Sequence, residues 1–174
     1  MSNQPVIIGL SGKMRAGKSV TAAALAEKHG FVQLSFADSL KREVIGMGFD
    51  VDAVRVTKPE PIRKLLQAYG QARRWQDPNY WIDSVGRSIK LCKPNTIFII
   101  DDVRFPNEAA FVEEMGVLIR LERPGYDNLD TDESETALDD YPFAHVVFSE
   151  EGPEAVLDMI EHVEDVLWSE GIVE

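Results

Sequence analysis

The residues most able to do chemistry lie in one short segment near the start of the chain. Residues 12–19 read GKMRAGKS and fit the pattern G-x-x-x-x-G-K-[ST], the P-loop. Gly12 and Gly17 let the backbone turn tightly, so that successive N–H groups point into one concavity at the start of a helix. In this pattern Lys18 reaches the β- and γ-phosphates of a nucleotide, and the Ser19 hydroxyl ligates Mg²⁺. We therefore predict that nucleotide phosphates contact Gly12, Lys13, Met14, Arg15, Ala16, Gly17, Lys18, Ser19 and Val20.

Two adjacent carboxylates follow the most apolar run of the chain. Residues 96–100 read TIFII and lead directly into Asp101 and Asp102. A carboxylate at the end of a strand beside a P-loop can hold Mg²⁺, directly or through water. The alternative is that one of the pair caps the next turn. Both interpretations can hold, because there are two acids.

Arginines at the predicted ends of helices and strands are the third set of candidates. A guanidinium suits phosphate because its planar fork donates two hydrogen bonds and stays charged. Arg104 follows the two acids, and Arg123 precedes an irregular segment long enough to form a lid. Arg15 faces either solvent or the terminal phosphate, and Arg73, Arg74 and Arg87 have the alternative of being solvated surface residues. The candidates for anion binding are Arg42, Arg63, Arg73, Arg74, Arg104 and Arg123.

The hydrophobic pattern alternates short apolar runs with segments of helical period. It predicts strands over 5–10, 32–36, 96–100, 117–121 and 146–148. Helices are predicted over 19–28, 37–47, 60–69, 78–89 and 105–115, with a last helix from residue 153 onward. This alternation indicates βαβ units in a five-stranded parallel sheet with helices on both faces, a three-layer α/β/α fold. Ligands of such sheets bind beyond the carboxyl ends of the strands, where the P-loop and the two acids are expected.

The size and charge of the chain exclude several classes of protein. The 174 residues fit one domain, and the single cysteine, which we expect to be a buried apolar residue, excludes an intrachain disulfide. The net charge is −12, but all 18 Lys and Arg lie in residues 1–123, together with 14 acids. The total disfavours binding to a nucleic-acid polymer or an anionic membrane, whereas a local cationic cleft for a small polyanion stays possible. The first apolar run is too short for a signal peptide or membrane span, so we expect a soluble, cytoplasmic protein.

The sequence resembles the bacteriophage deoxynucleoside monophosphate kinases, within the P-loop nucleoside monophosphate kinase group. The resemblance covers nearly the whole chain. It rests on GKMRAGKS at 12–19, FADSLK at 36–41, LQAYG at 66–70, DPNYW at 77–81 and, above all, DVRFPNE at 102–108. The family often has Asp where this chain has Ser19, and Ser is a standard Mg²⁺ ligand at that position. The family also often has His shortly before a Ser-Glu pair, whereas Ser134-Glu135 here follows Thr131-Asp132-Glu133.

The resemblance implies a P-loop kinase that transfers the γ-phosphoryl group of ATP to a deoxynucleoside 5′-monophosphate. It implies one domain over 1–174, with an acceptor-binding helical region over about 37–93 and a lid over about 123–140. Its catalytic residues would be Lys18, Arg104 and Arg123, and its Mg²⁺ ligands Ser19 and Asp102. Its acceptor-binding residues would be Asp38, Arg42, Arg63, Gln67, Arg74, Trp81, Asp102 and Arg104. We expect a monomer or homodimer, in the host cytoplasm if a phage encodes it.

Two other functions fit the same residues. The first is a P-loop kinase of another small acceptor, such as dephospho-coenzyme A or a sugar acid. The second is a nucleotide-binding or switch module that catalyses no transfer. The sequence disfavours a GTPase, because it has no Asn-Lys-x-Asp string for guanine.

Overall fold

The strands and helices follow the predicted alternation. In the computed structural model, which describes residues 4–125, 132–149 and 154–174, the strands are β1 (Val6–Ser11), β2 (Val32–Leu34), β3 (Ile97–Ile100), β4 (Gly116–Glu122) and β5 (His145–Phe148). The helices are α1 (Lys18–His29), α2 (Phe36–Gly46), α3 (Glu60–Gln76), α4 (Tyr80–Lys90), α5 (Pro106–Met115), α6 (Glu133–Thr136) and α7 (Ala155–Ser169), and a single π-helical turn spans Ala53–Thr57.

The sheet is parallel throughout, with the strand order β2-β3-β1-β4-β5. The P-loop strand β1 lies at its centre, where Ile8 is level with Ile99 of β3 and Leu10 is level with Ile119 of β4. All carboxyl ends therefore meet at one edge. Ser11 of β1 leads into the P-loop at this edge, and Ile100 of β3 leads into Asp101.

Helices cover both faces of the sheet, which confirms the three-layer α/β/α prediction. Ile8 and Leu10 share a fully buried cluster with Leu25 of α1 and Val163 of α7. Gly9 points to the opposite face because side chains alternate along a strand. A Cβ atom there would meet Val112 of α5 at 2.7 Å, so α5 packs directly on the backbone of β1.

The chain divides into two compact units. The sheet unit contains the residues up to Leu34 and those from Lys93 onward, and the helical unit is Ser35–Cys92, with α2, α3 and α4. The single domain over 1–174 and its acceptor-binding region over 37–93 stay predictions. Within the predicted lid over 123–140, α6 is a short helix, and residues 126–131 lie outside the described part.

The structure differs from the sequence prediction at several places. Helix α3 continues through Gly70 to Gln76, because Gly70 is buried where α3 meets Leu40 of α2. The predicted strand over 32–36 ends at Leu34, and Phe36 already starts α2. The prediction that Cys92 is buried was wrong: it lies exposed in the turn after α4, beside Leu91, which is 89% exposed. The predicted start of the last helix at residue 153 lies outside the described residues.

Among the helices of the described residues, none combines the length and apolarity needed to cross a bilayer.

Candidate functional site

The backbone of the P-loop takes conformations that favour glycine. Gly12 has φ 148° and Gly17 has φ 96°. A Cβ atom on Gly12 would lie 2.4 Å from the carbonyl oxygen of Leu121, so the loop passes directly against β4. Gly17 immediately precedes α1, whose first turn has no side-chain cap. The N–H groups of that turn and the positive end of the helix dipole form a ready anion site.

Lys18 lies inside the loop rather than in solvent. Its side-chain ammonium donates to the carbonyl oxygens of Gly12 at 2.6 Å and of Lys13 at 2.7 Å, and the residue is 8% exposed. Burial lowers the pKa of Lys18 to about 8. The guanidinium groups of Arg104 and Arg120 act in the same direction, whereas the carboxylates of Glu135 and Asp101 oppose them. The loop thus encloses an excess of positive charge, which a polyphosphate would neutralise.

The string DVRFPNE positions Arg104. The buried carboxylate of Glu108 accepts from the backbone N–H groups of Arg104 at 2.9 Å and Phe105 at 3.2 Å. Pro106 occupies the first turn of α5, where its missing N–H needs no partner. These local bonds fix the backbone that carries the Arg104 guanidinium, which explains why this string is informative.

The acids of α6 contact the same loop. The Glu135 carboxylate accepts from the Met14 N–H at 2.7 Å and is ion-paired with Arg104, and the Glu135 carbonyl oxygen accepts from Lys13 Nζ at 2.8 Å. Asp139, just after α6, pairs with Lys13. The Ser134-Glu135 pair therefore lies at the P-loop.

Arg120 is a site residue that sequence reasoning missed. It is 7% exposed within β4, where Nη1 donates to Ser11 Oγ at 3.4 Å and Nη2 lies 3.7 Å from Asp139. Its charge also acts on the pKa of Lys18. A lone arginine inside the otherwise apolar run VLIRL is the signal that could have found it, since a charge on a buried strand needs partners.

The remaining residues predicted for this site lie as follows. Ser19 and Val20 are exposed at the start of α1, and Met14 and Arg15 are exposed on the loop. Arg123 is half-buried directly after β4. Their contacts with nucleotide stay predictions.

The oxygen donors near the loop fit Mg²⁺. Ser19 supplies a hydroxyl, and the Asp101 carboxylate follows directly after β3, where its charge partly offsets the lowering of the Lys18 pKa. In the described part of the chain, no cluster of three or more His, Cys, Asp or Glu side chains is arranged around a metal position. Mg²⁺ commonly takes one or two protein oxygens and completes its shell with water and nucleotide phosphates. The assignment of Asp102 stays a prediction.

The helical unit holds a second cationic site around Asp38. We call Asp38, together with Lys41, Arg55, Lys58 and Arg63, the cationic cluster. The Asp38 carboxylate is 3.6 Å from Lys41 Nζ and 3.4 Å from Arg55 Nη1. Arg63 Nε donates to the carbonyl oxygen of Lys58 at 2.9 Å. Burial lowers the pKa of Lys58, and the charges of Lys41 and Arg63 lower it further. The cluster combines four cations and one carboxylate, so its local charge is positive.

Two predicted acceptor residues, Asp38 and Arg63, belong to this cluster, while others lie elsewhere in the helical unit. Arg42 Nη2 donates to Ser39 Oγ at 3.2 Å, and Gln67 is exposed on α3. Arg74 is half-buried beside Gly70. Trp81 is 2% exposed, and its indole N–H donates to the Gly70 carbonyl at 3.3 Å. Substrate contacts of Arg42, Gln67, Arg74 and Trp81 stay predictions.

The two tyrosine rings that contact Trp81 belong to a hydrogen-bonded network centred on Glu43. Its carboxylate accepts from Tyr69 at 2.6 Å and Tyr80 at 2.8 Å, and both tyrosine rings contact Trp81 edge-on. Arg73 lies over both tyrosine rings and 3.4 Å from Glu43. Burial alone would raise the pKa of Glu43, but these hydrogen bonds and the guanidinium lower it below its ordinary value. The network ties α2, α3 and α4 together.

A sequence relative supports the kinase interpretation. A protein of Acanthamoeba polyphaga mimivirus, which bears the name of a proposed deoxynucleotide monophosphate kinase, is 32% identical over 162 residues. The match covers 76% of this chain and 82% of the relative. No known family profile matches the chain. The bacteriophage origin suggested by the resemblance stays a prediction.

Solved structures show the same fold at low identity. TT1252 from Thermus thermophilus is similar with a TM-score of 0.58 and 16% identity over 96% of this chain and 98% of that chain. Shikimate kinase from Acinetobacter baumannii, in complex with shikimate, has a TM-score of 0.57 and 15% identity over 96% and 95% of the two chains. A gluconokinase from Sinorhizobium meliloti has a TM-score of 0.52 and 15% identity, covering 95% of each chain. These likenesses confirm the predicted kinase fold and, at such identities, show the fold alone.

Proposed function

The chain belongs to the deoxynucleotide monophosphate kinase family, and from this premise we propose that it transfers the γ-phosphoryl group of ATP to a deoxynucleoside 5′-monophosphate. The products are ADP and a deoxynucleoside diphosphate. The observation that carries the proposal is the buried Lys18 ammonium in a P-loop with Arg104 beside it. The net charge of −12 favours a small-molecule acceptor over a nucleic-acid polymer or an anionic membrane.

The chemistry needs positioning and charge stabilisation more than acid–base groups. The second pKa of a phosphate monoester is about 6, so the attacking oxygen is already ionised at neutral pH and no general base is required. The two reactants are polyanions that must be brought in line, and the transition state spreads charge over the transferred oxygens. Lys18, Arg104 and Arg123 supply the cations for this. Ser19 and Asp102 would hold Mg²⁺, which neutralises charge on the β- and γ-phosphates when bound.

The cationic cluster of the helical unit supports a site for the acceptor phosphate. Two of the four cations, Lys41 and Arg55, lie within 3.6 Å of the Asp38 carboxylate, and the lowered pKa of Lys58 reflects burial together with the charges of Lys41 and Arg63. A dianionic monophosphate would offset these positive charges. Lys58 also has φ 43°, a left-handed conformation that few non-glycine residues take, and it ends a π-helical turn. Such backbone strain concentrates at functional sites.

Lys58→Gln is expected to raise the KM for the acceptor about 10-fold or more, because one charge-assisted hydrogen bond to phosphate is lost. The KM for ATP is expected to stay within about 2-fold of the wild-type value, since Lys58 belongs to the acceptor site. Steady-state kinetics with each substrate varied in turn will measure both constants. Lys64→Gln is the matched control: its side chain is 73% exposed, and it pairs only with Glu60 at 3.6 Å among the ion pairs of the described residues. Equal acceptor KM values for the two variants would contradict the assignment.

The experiment that tests the proposed function is an acceptor panel with ATP. It contains the four deoxynucleoside monophosphates, their ribonucleotide counterparts, dephospho-coenzyme A, shikimate and gluconate, with ADP release as the readout. We expect turnover of at least one deoxynucleoside monophosphate. If only another acceptor is turned over, the chain is a different P-loop kinase. If ATP binds but nothing is phosphorylated, it is a binding module.

A further inference from the structure

Glu135 of α6 makes contacts that the proposed reaction does not yet use. One carboxylate oxygen accepts from the Met14 N–H of the P-loop at 2.7 Å, and the other contacts Arg104 Nη1. The Glu135 side chain is 4% exposed. A carboxylate this buried is stable only when its oxygens have partners, and here the partners are the P-loop and the arginine that follows β3.

The contacts of the Arg104 guanidinium leave part of it available to bind phosphate. Nη1 donates to both Glu135 and Ser134 Oγ, the latter at 3.3 Å. The Arg104 side chain is nevertheless 34% exposed. A guanidinium carries five N–H donors in a rigid fork, so fixing one end leaves the other donors oriented for phosphate. Glu108 fixes the Arg104 backbone, and Glu135 fixes its charged end.

Helix α6 is too short to be stable alone, so its contacts determine where Glu135 lies. Asp132 caps the helix by accepting from the Ser134 N–H at 2.9 Å and the Ser134 hydroxyl at 2.6 Å. At the other end, Asp139 pairs with Lys13 and lies 3.7 Å from Arg120. Glu135 and Asp139 therefore bind the cations of the P-loop edge.

We infer that Glu135 is a positioning residue, which fixes the Arg104 guanidinium beside the P-loop for phosphoryl transfer. This inference rests on the proposed function. It differs from a purely structural role, in which Glu135 would stabilise the fold without affecting the reaction. It also differs from a third role, in which the Glu135 carboxylate occupies the phosphate site and ATP displaces it. In that role Glu135 would compete with the nucleotide, and its removal would tighten ATP binding.

A double-mutant cycle separates these roles. The four proteins are wild type, Glu135→Gln, Arg104→Ala and the double variant, assayed at saturating ATP and acceptor. Glutamine keeps the shape of the side chain but replaces one carboxylate oxygen with an NH₂ group, which only donates hydrogen bonds. The variant side chain therefore loses one of the two contacts, with the Met14 N–H or with Arg104. We expect Glu135→Gln to lower kcat about 10-fold, with the KM for ATP within about 3-fold of wild type. In the Arg104→Ala background the same change is expected to have no further effect.

The outcomes are distinct. The inference is overturned if the kcat losses of the two single variants multiply in the double variant. It is also overturned if Glu135→Gln leaves kcat unchanged, whether or not that variant binds ATP more tightly. Glu161→Gln, an exposed residue of α7, makes the same charge change and is expected to leave kcat unaltered. If wild type phosphorylates another acceptor, the proposed function fails and the cycle is run with that acceptor.

A second measurement tests the inference without turnover. Side-chain ¹⁵N relaxation of Arg104 is expected to show an ordered guanidinium in the nucleotide-free wild type and a mobile one in Glu135→Gln. Should that variant not fold, Glu135→Asp, whose shorter side chain withdraws the carboxylate, gives the same comparison. An Arg104 guanidinium that is equally ordered in wild type and variant overturns the inference.

Discussion

Lys18→Ala is expected to lower kcat for phosphoryl transfer by about 10³-fold or more, the largest effect of any single side chain in this protein. The Lys18 ammonium is 8% exposed and is already aimed into the loop by the carbonyl oxygens of Gly12 and Lys13. Charge that develops on the transferred phosphoryl group meets this cation in a site largely shielded from water, where an electrostatic interaction is stronger than in solution. Alanine leaves nothing in its place.

The fold is expected to survive the loss of Lys18. Burial lowers the pKa of the ammonium to about 8, so the charged form is disfavoured in the folded protein relative to the unfolded chain at neutral pH. Removing it therefore removes no net favourable charge. The two carbonyl oxygens lose a donor, which the opened loop replaces with water.

Single-turnover and steady-state kinetics will measure the Lys18→Ala effect, with circular dichroism to verify the fold. Lys64→Ala is the control, because that lysine is 73% exposed on α3. Turnover by Lys18→Ala within about 10-fold of wild type would contradict the role given to the loop.

Features that depend on neighbouring residues could be predicted from the sequence. The P-loop pattern, the apolar run before Asp101 and the string DVRFPNE can each be recognised within a few positions of the chain. In the last of these, Glu108 bonds backbone groups three and four residues earlier. The parallel sheet could be predicted from the alternation of strands and helices, because the hydrophobic periodicity of each segment indicates which of its faces is buried.

Features that join distant segments could not be predicted in this way. Glu135 meets Met14 across 121 positions, and Arg120 meets Ser11 across 109. No pattern in either segment specifies its partner. Arg120 meets Ser11 only once β1 and β4 lie side by side, and Glu135 meets Met14 only once α6 lies against the P-loop. Glu135 and Asp139 lie in a polar segment of weak periodicity, so the sequence did not identify them as site residues.

The cationic cluster was found only in part for a related reason. Asp38 was predicted from the resemblance and Arg63 also from its place at a predicted helix end. Arg55 and Lys58, however, lie on and just after a π-helical turn that has no sequence signal. The turn brings Arg55 to Asp38 across 17 positions. Its geometry comes from packing within the helical unit, where Val54 is fully buried.

Gly12→Ala is expected to destabilise the protein by about 3 kcal/mol or more and to abolish measurable ATP binding. At φ 148° the backbone of Gly12 lies in a region that L-residues rarely take, and the new methyl group would lie 2.4 Å from the carbonyl oxygen of Leu121. That oxygen cannot move aside, because Leu121 lies within β4, which pairs with β1 on one side and β5 on the other. The start of the loop must shift instead, and with it the Gly12 carbonyl that orients Lys18.

Gly86→Ala is the matched control for Gly12→Ala, since it makes the same chemical change in α4, where a Cβ atom meets no heavy atom within 4 Å. We expect it to raise the free energy of unfolding by about 0.5–1 kcal/mol, because alanine favours a helix more than glycine does. Urea unfolding will measure both free energies, and calorimetric titration will measure ATP binding. The two substitutions should therefore change stability in opposite directions. A Gly12→Ala protein that binds ATP as wild type does, with unchanged stability, would show that the close approach of the loop to β4 is not required for the site.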